Sequence, residues 1–114
     1  MSYKKGLMQC ISKKLADCAA ACEKCMDSCL FEDDLNMMVK CIRLDRDCAK
    51  ICQLTASFIA SDSQHAQHVI IACIVIWEQC AVECGNHDDE HCQKCAQKCE
   101  ECAEACRNYS KANP

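Results

Sequence analysis

The chain has 114 residues, and its 17 acidic and 13 basic side chains give a formal net charge of −4. This length fits a single domain over residues 1–114. The charges are dispersed without a basic patch, which argues against a nucleic-acid partner. We find no apolar stretch long enough to span a membrane, so no membrane partner is expected.

Four helices are expected, and the first two can be placed by their flanking residues. The first helix runs over about residues 4–30. The acidic run after it offers Asp33 or Asp34 as an N-cap for the second helix, which runs over about residues 35–60.

The third and fourth helices follow after short joints. The residues at 61–64 match a Ser-x-x-Gln capping box, which predicts a third helix over about 63–84 that stops at Gly85. Asn86 can cap a fourth helix that ends near 108–111. Short joints make neighbouring helices antiparallel. The expected fold is therefore all-α, an antiparallel up-down-up-down four-helix bundle.

Cysteine is the chain's most unusual component, with 16 copies beside only two glycines and one proline. Such density is typical of secreted disulfide scaffolds, but those are loop-rich. Residues 1–7 lead into no long apolar run and no small-residue cleavage site, so we predict no signal peptide and a cytoplasmic location. A disulfide-stapled helical protein stays open as an alternative, because cysteine pairs on antiparallel helices permit cross-links.

The cysteines recur at steps of three, four and seven residues, which are the repeats of a helix face. Within each helix they cover an arc of about 40–80°, the width of a core-facing stripe, with Cys10 at the edge of the first. We take all of them as candidate metal ligands. Helix by helix they are Cys10, Cys18, Cys22, Cys25 and Cys29; Cys41, Cys48 and Cys52; Cys73, Cys80 and Cys84; and Cys92, Cys95, Cys99, Cys102 and Cys106.

The two ends of such a bundle differ in chemistry. One end gathers apolar residues into a plug, namely Leu7, Ile11, Leu15, Ile59, Val69, Ile70 and Tyr109. The other gathers metal-binding side chains, namely Cys29, Met37, Met38, Cys41, Cys84, His87, His91 and Cys92. We infer that this second end is the mouth. Only one of the two adjacent methionines can point fully inward, and we add Met38 and His91 to the candidate ligands; a helix-capping role for His91 stays open.

Thiolates select soft metals such as Cu(I), Zn(II) and iron–sulfur clusters. The CxxC pairs here lie inside helices without turn glycines, which is a weak match to a zinc ribbon, and the ferredoxin cysteine run is absent. Cu(I) accepts two or three soft ligands, and a CxxxC pair offers two sulfurs to one ion. Buried thiols must be protonated when empty, so loading releases protons. Charge neutrality is reached at roughly 16 Cu(I) ions if every cysteine takes part.

The segment 91–106 reads HCxxCAxxCxxCAxxC, and the segment 18–25 is similar. These motifs resemble the four-helix-bundle copper storage protein family, of the cytosolic type. The resemblance implies many Cu(I) ions along the core, a storage or detoxification role, a homo-oligomer such as a tetramer, and entry ligands of the His and Met type. Copper donor or acceptor proteins would be further partners.

Asp45 and Trp77 lie near the stripes, one turn after Cys41 and Cys73, which makes full occupancy by copper at mid-height uncertain. We place Trp77 in a helix seam or a subunit interface.

Other functions remain as alternatives to copper storage. A thiol redox protein needs a cysteine of low pKa beside a resolving partner, and none is singled out. A copper chaperone presents one exposed pair, and zinc or cadmium could be the main cargo instead. No serine triad, phosphate loop or paired-carboxylate site points to an enzyme.

Overall fold

A computed structural model describes residues 2–112 of the chain. Four helices make up the fold: α1 (Ser2–Cys29), α2 (Leu35–Ala60), α3 (Ala66–Gly85) and α4 (Glu90–Ala112). No strand occurs within 2–112. The all-α class is therefore confirmed.

The helices form an elongated bundle with principal extents of 50 × 20 × 18 Å. Helix α1 packs against α2 and α4, and α3 packs against the same two helices. The joints at 30–34, 61–65 and 86–89 are too short to return along the bundle. Consecutive helices therefore run in opposite directions, as the expected up-down-up-down bundle requires.

The bounds predicted for α2 agree with the structure, but its predicted cap does not form. Asp34 is the N-cap of α2, and its side chain makes no capping hydrogen bond. The start of α3 differs as well, because Asp62 adopts a left-handed backbone with φ of 53° that interrupts the helix path. Helix α3 begins only at Ala66. The predicted capping box does not form, because the hydroxyl of its first residue, Ser61, donates to the carbonyl oxygen of Phe58 at 3.2 Å.

The predicted role of Asn86 is wrong. It is the C-cap of α3 rather than the N-cap of α4, and its backbone N–H bonds to the carbonyl oxygens of Cys84 and Glu83. Helix α4 begins at Glu90. The residues between form a tight connection that brings α4 back alongside α3.

An apolar layer closes one end of the bundle, as predicted. Its fully or nearly fully buried members are Ile11, Leu15, Ile59, Ile70 and Tyr109. Val69 is half-buried beside them, and the predicted contribution of the Leu7 side chain lies outside the described side chains. This layer excludes water from the end of the core opposite the joints at 30–34 and 86–89.

Helix α3 is strongly apolar. With 20 residues and a mean hydropathy of 1.5, it is the one helix within 2–112 that could cross a membrane by length and composition alone. The expectation that no apolar stretch is long enough is therefore wrong by that criterion. One face of α3 is buried against α2 and α4, and a core helix in a bundle meets the same criterion.

Candidate metal centre

Fifteen of the sixteen cysteines are buried, and all sixteen are free thiols. Cys10 is the exception, because it is exposed on the surface of α1. It stands eight residues before Cys18, which turns it about 80° away from the stripe. Cys10, predicted at the edge of the stripe, therefore lies outside the core. The other fifteen predicted cysteines face inward.

The buried sulfurs form a column along the core. Contacts of 3.4–4.0 Å between sulfurs join two groups within it, Cys18, Cys22, Cys48, Cys95 and Cys99, and Cys25, Cys29, Cys41, Cys80, Cys84 and Cys92. At the mouth, the sulfurs of Cys25, Cys29, Cys41 and Cys92 all lie within 4.8 Å of one another. The closest pair there is Cys41 and Cys84, whose Sγ atoms are 3.4 Å apart across α2 and α3. Two or more sulfurs at this spacing can bind the same cation.

The column continues inward through three further levels. Its groups of mutually close sulfurs are Cys22, Cys80, Cys95 and Cys99; Cys18, Cys22, Cys48 and Cys99; and Cys18, Cys52 and Cys102. Shared members link these three levels, and the group of Cys25, Asp45, Cys84 and Cys95 connects them to the mouth. Ligand exchange through these groups therefore does not require an ion to cross an apolar gap.

Trp77 lies at the deep end of the column, not in a helix seam or a subunit interface as expected. It is completely buried, and its indole N–H donates to Cys52 Sγ at 3.1 Å. Nearby, the Thr55 hydroxyl donates to the carbonyl oxygen of Ile51 at 2.7 Å and contacts Cys73 Sγ. These polar side chains mark the boundary between the thiols and the apolar layer.

His91 stands at the mouth with its two ring nitrogens in different surroundings. Nε2 lies 2.9 Å from Glu32 Oε1, and Nδ1 lies 3.3 Å from Cys25 Sγ and 3.5 Å from Cys92 Sγ. A carboxylate can only accept, so Nε2 carries the proton in the neutral ring. The lone pair of Nδ1 then points at two thiols.

The remaining methionine and histidine residues considered as ligands differ in burial and in contacts. Met38 is buried in the core, and Met37 is 64% exposed, so only one of the pair points inward, as predicted. His87 lies in the joint after α3 and contacts Glu83 Oε2 at 2.8 Å. His65 and His68 are both exposed.

Burial governs the charge state of the core. Loss of hydration raises the pKa of Cys29 and of Cys73 to about 12, and it also raises the pKa of Cys92. The pKa of Asp45 is raised to about 10, first by burial and then by the neighbouring Cys95 and Cys80. Without a cation, these four groups are therefore neutral acids at neutral pH.

Two features of the site were not assigned by sequence reasoning. Glu32, in the joint after α1, holds the ring of His91, and only the folded chain brings these distant residues together. Asp45 was recognised near the stripe of α2, but its contacts with α3 and α4 depend on the register between helices. Its position four residues after Cys41 was the available signal.

Four antiparallel helices around a buried column of free thiols define a class of cysteine-rich metal-binding bundle. The family model described as copper storage protein matches residues 4–111. The chain belongs to the copper storage protein family.

Individual relatives agree with this assignment. The uncharacterized cysteine-rich protein YhjQ of Bacillus subtilis is 45% identical over 81 residues, which are 71% of this chain and 75% of that protein. The Cu(I)-bound copper storage protein BsCsp3 is 40% identical with a TM-score of 0.85, over 90% of this chain and 96% of that one. A cytosolic copper storage protein from Streptomyces lividans, solved with five coppers, is 32% identical with a TM-score of 0.91, over 96% of each chain.

Proposed function

We propose that this chain stores Cu(I), holding many ions at once through the thiolates of its bundle core. The observation that carries the proposal is the presence of fifteen buried, unpaired cysteines in the bundle core. Cysteine is too reactive to be ordinary core filler at this density. The relatives that carry copper share both the fold and the family.

The ligands we propose are the buried sulfurs together with two residues at the mouth, His91 and Met38. The sulfur ligands are Cys18, Cys22, Cys25, Cys29, Cys41, Cys48, Cys52, Cys73, Cys80, Cys84, Cys92, Cys95, Cys99, Cys102 and Cys106. Cys10 is omitted because it is exposed. One univalent cation per thiolate leaves the core neutral, which sets the capacity at roughly 15 ions.

Entry takes place at the mouth, where His91 faces two thiols. Its Nδ1 can accept the proton of Cys25 as that sulfur takes a cation, or can itself bind the incoming ion. The contact between Nε2 and Glu32 keeps the ring in this orientation. Each ion then moves inward by exchange between neighbouring sulfurs as the next Cu(I) ion enters at the mouth.

We place the protein in the cytoplasm, as a homo-oligomer such as a tetramer that acts by binding rather than catalysis. The relative from Streptomyces lividans is described as cytosolic. The outer face of α3 exposes Ile71, Val75 and Val82 by 62%, 53% and 68%. Apolar side chains grouped on one helix face are typical of an interface between subunits.

The test is an anaerobic titration of the fully reduced protein with Cu(I) against a competing chelator, with thiols counted in parallel. We expect tight uptake of roughly 15 ions per chain, one for each buried thiolate. A plateau at about one or two ions would contradict storage and favour a chaperone. Strong turnover of the metal-free protein in a disulfide-reduction assay would favour the thiol redox alternative.

A further inference from the structure

The thiol column contains one carboxylate, and its oxygen lies among three sulfurs. Asp45 is completely buried. Its Oδ1 is 3.3 Å from Cys80 Sγ, 3.4 Å from Cys84 Sγ and 3.2 Å from Cys95 Sγ. Three helices contribute to this group, because Asp45 belongs to α2, the first two cysteines to α3 and the last to α4.

These separations match the edges of a tetrahedral zinc site. Zinc bonds of about 2.3 Å to sulfur and 2.0–2.2 Å to oxygen place the sulfur and oxygen corners about 3.5 Å apart, and two sulfur corners about 3.8 Å apart. The sulfurs of Cys80 and Cys84 are 3.9 Å apart. Cys95 Sγ lies within 4.8 Å of each of them. A cation at the centre therefore requires only small side-chain movements.

The donor set also differs in kind from the rest of the column. A carboxylate oxygen is a hard ligand that favours a borderline divalent cation over Cu(I), which prefers sulfur. Three thiolates and one carboxylate carry the same formal charge as the four thiolates of common structural zinc sites. Neighbouring thiols lie within reach of the ligand sulfurs, with Cys22 at 3.6 Å from Cys95 and Cys41 at 3.4 Å from Cys84. Their S–H groups can donate to the thiolates.

We propose that Asp45, Cys80, Cys84 and Cys95 form a single site for one divalent cation of the zinc class, at one level of a core that is otherwise suited to Cu(I). The site joins α2, α3 and α4. Because it shares three thiolates with the copper column, filling the column with Cu(I) displaces the divalent ion. The proposal goes beyond copper storage and does not depend on it.

The first experiment titrates the reduced, metal-free full-length protein anaerobically with Co(II), and then with Zn(II) in competition. We expect one Co(II) per chain, with the charge-transfer and intense visible bands of tetrahedral thiolate coordination, and its displacement by one Zn(II). No binding, or several equivalent sites, would overturn the proposal. Cadmium NMR of the wild-type protein tests the donor set without any mutation: one signal typical of three sulfurs and one oxygen is expected, and a four-sulfur signal would overturn it.

Variants of Asp45 distinguish its role as a metal ligand from its role in packing. Asp45→Asn keeps the side-chain shape and removes the charge, so we expect zinc affinity to fall by at least about tenfold. Asp45→Cys restores a charged ligand and should recover affinity. Cys102→Ser, deeper in the column, is the matched control and should leave zinc affinity unchanged while lowering Cu(I) capacity. Equal zinc affinity in wild type and Asp45→Asn, with helix content preserved by circular dichroism, would overturn the role of Asp45 and leave copper storage untouched.

Discussion

The indole N–H of Trp77 points at the sulfur of Cys52 from 3.1 Å, at the deep end of the thiol column. This is the single tryptophan of the chain, so its fluorescence reports on one known level of the core. If ions enter at the mouth, Cys52 is among the last sulfurs that they reach.

We therefore expect the fluorescence of Trp77 to stay nearly constant during the first additions of Cu(I) and to change late in the titration. Cys52→Ser, which removes the sulfur at the indole, should reduce the late change and leave the early phase intact. A fluorescence change that is complete with the first ions would show that filling does not proceed from the mouth inward.

His91 should control the rate of copper uptake more than the amount. In His91→Ala, the thiols of Cys25 and Cys92 lose the nitrogen that accepts their proton, so we expect loading from a chelated donor to slow by about tenfold or more. Stopped-flow measurements with Cu(I) bound to a chromogenic chelator would record this.

His87→Ala is the matched control for that experiment, because His87 contacts Glu83 rather than a thiol. Its loading rate should equal that of the wild type. Equal slowing in both variants would mean that His91 acts only through general electrostatics at the mouth.

The apolar layer should support stability independently of copper. Ile70 is completely buried and Ile71 is 62% exposed on the same helix. We expect Ile70→Ala to lower the free energy of unfolding by about 2–5 kcal/mol and Ile71→Ala to change it by less than about 0.5 kcal/mol. Urea unfolding of the metal-free protein gives both values. A lower Cu(I) capacity in a folded Ile70→Ala protein would show that the apolar layer and the thiol column are not independent.

The metal-free protein should lose stability in alkaline solution. Burial raises the pKa of Cys29 and of Cys73 from 9.0 to about 12 in the folded state. A raised folded pKa means that the unfolded chain releases its protons first as pH increases. The stabilising effect of these neutral thiols is therefore complete below pH 9 and is lost between pH 9 and about 12. Urea midpoints measured anaerobically across this window should fall; a constant or rising midpoint would argue against the buried, neutral thiols.

Much of this architecture was predictable because the cysteines mark helix faces directly. The spacing of Cys92, Cys95 and Cys99 requires a stripe wherever a helix forms, and the charge cost of burying thiolates requires a cation. Residues at the edge of a cysteine stripe were harder to predict. Cys10 fits the periodicity loosely, and only the packing of α1 shows that its turn faces solvent.

Contacts between helices were beyond the reach of the sequence. The group around Asp45 depends on the axial register of three helices, and the pair of Glu32 and His91 depends on the path of a joint. Local capping signals also misled, because Asn86 can begin one helix or end another. The tight connection before Glu90 decides in favour of ending α3.

The central claim, that inward-facing thiolates hold the copper, is tested most directly by comparing the Cu(I) capacity of two variants under anaerobic conditions. Cys99 and Cys102 lie in the buried column, whereas Cys10 is exposed. We predict that Cys99→Ser combined with Cys102→Ser lowers capacity by about two ions per chain and that Cys10→Ser leaves it unchanged. Unchanged capacity in the buried double variant, or an equal loss in Cys10→Ser, would contradict the account.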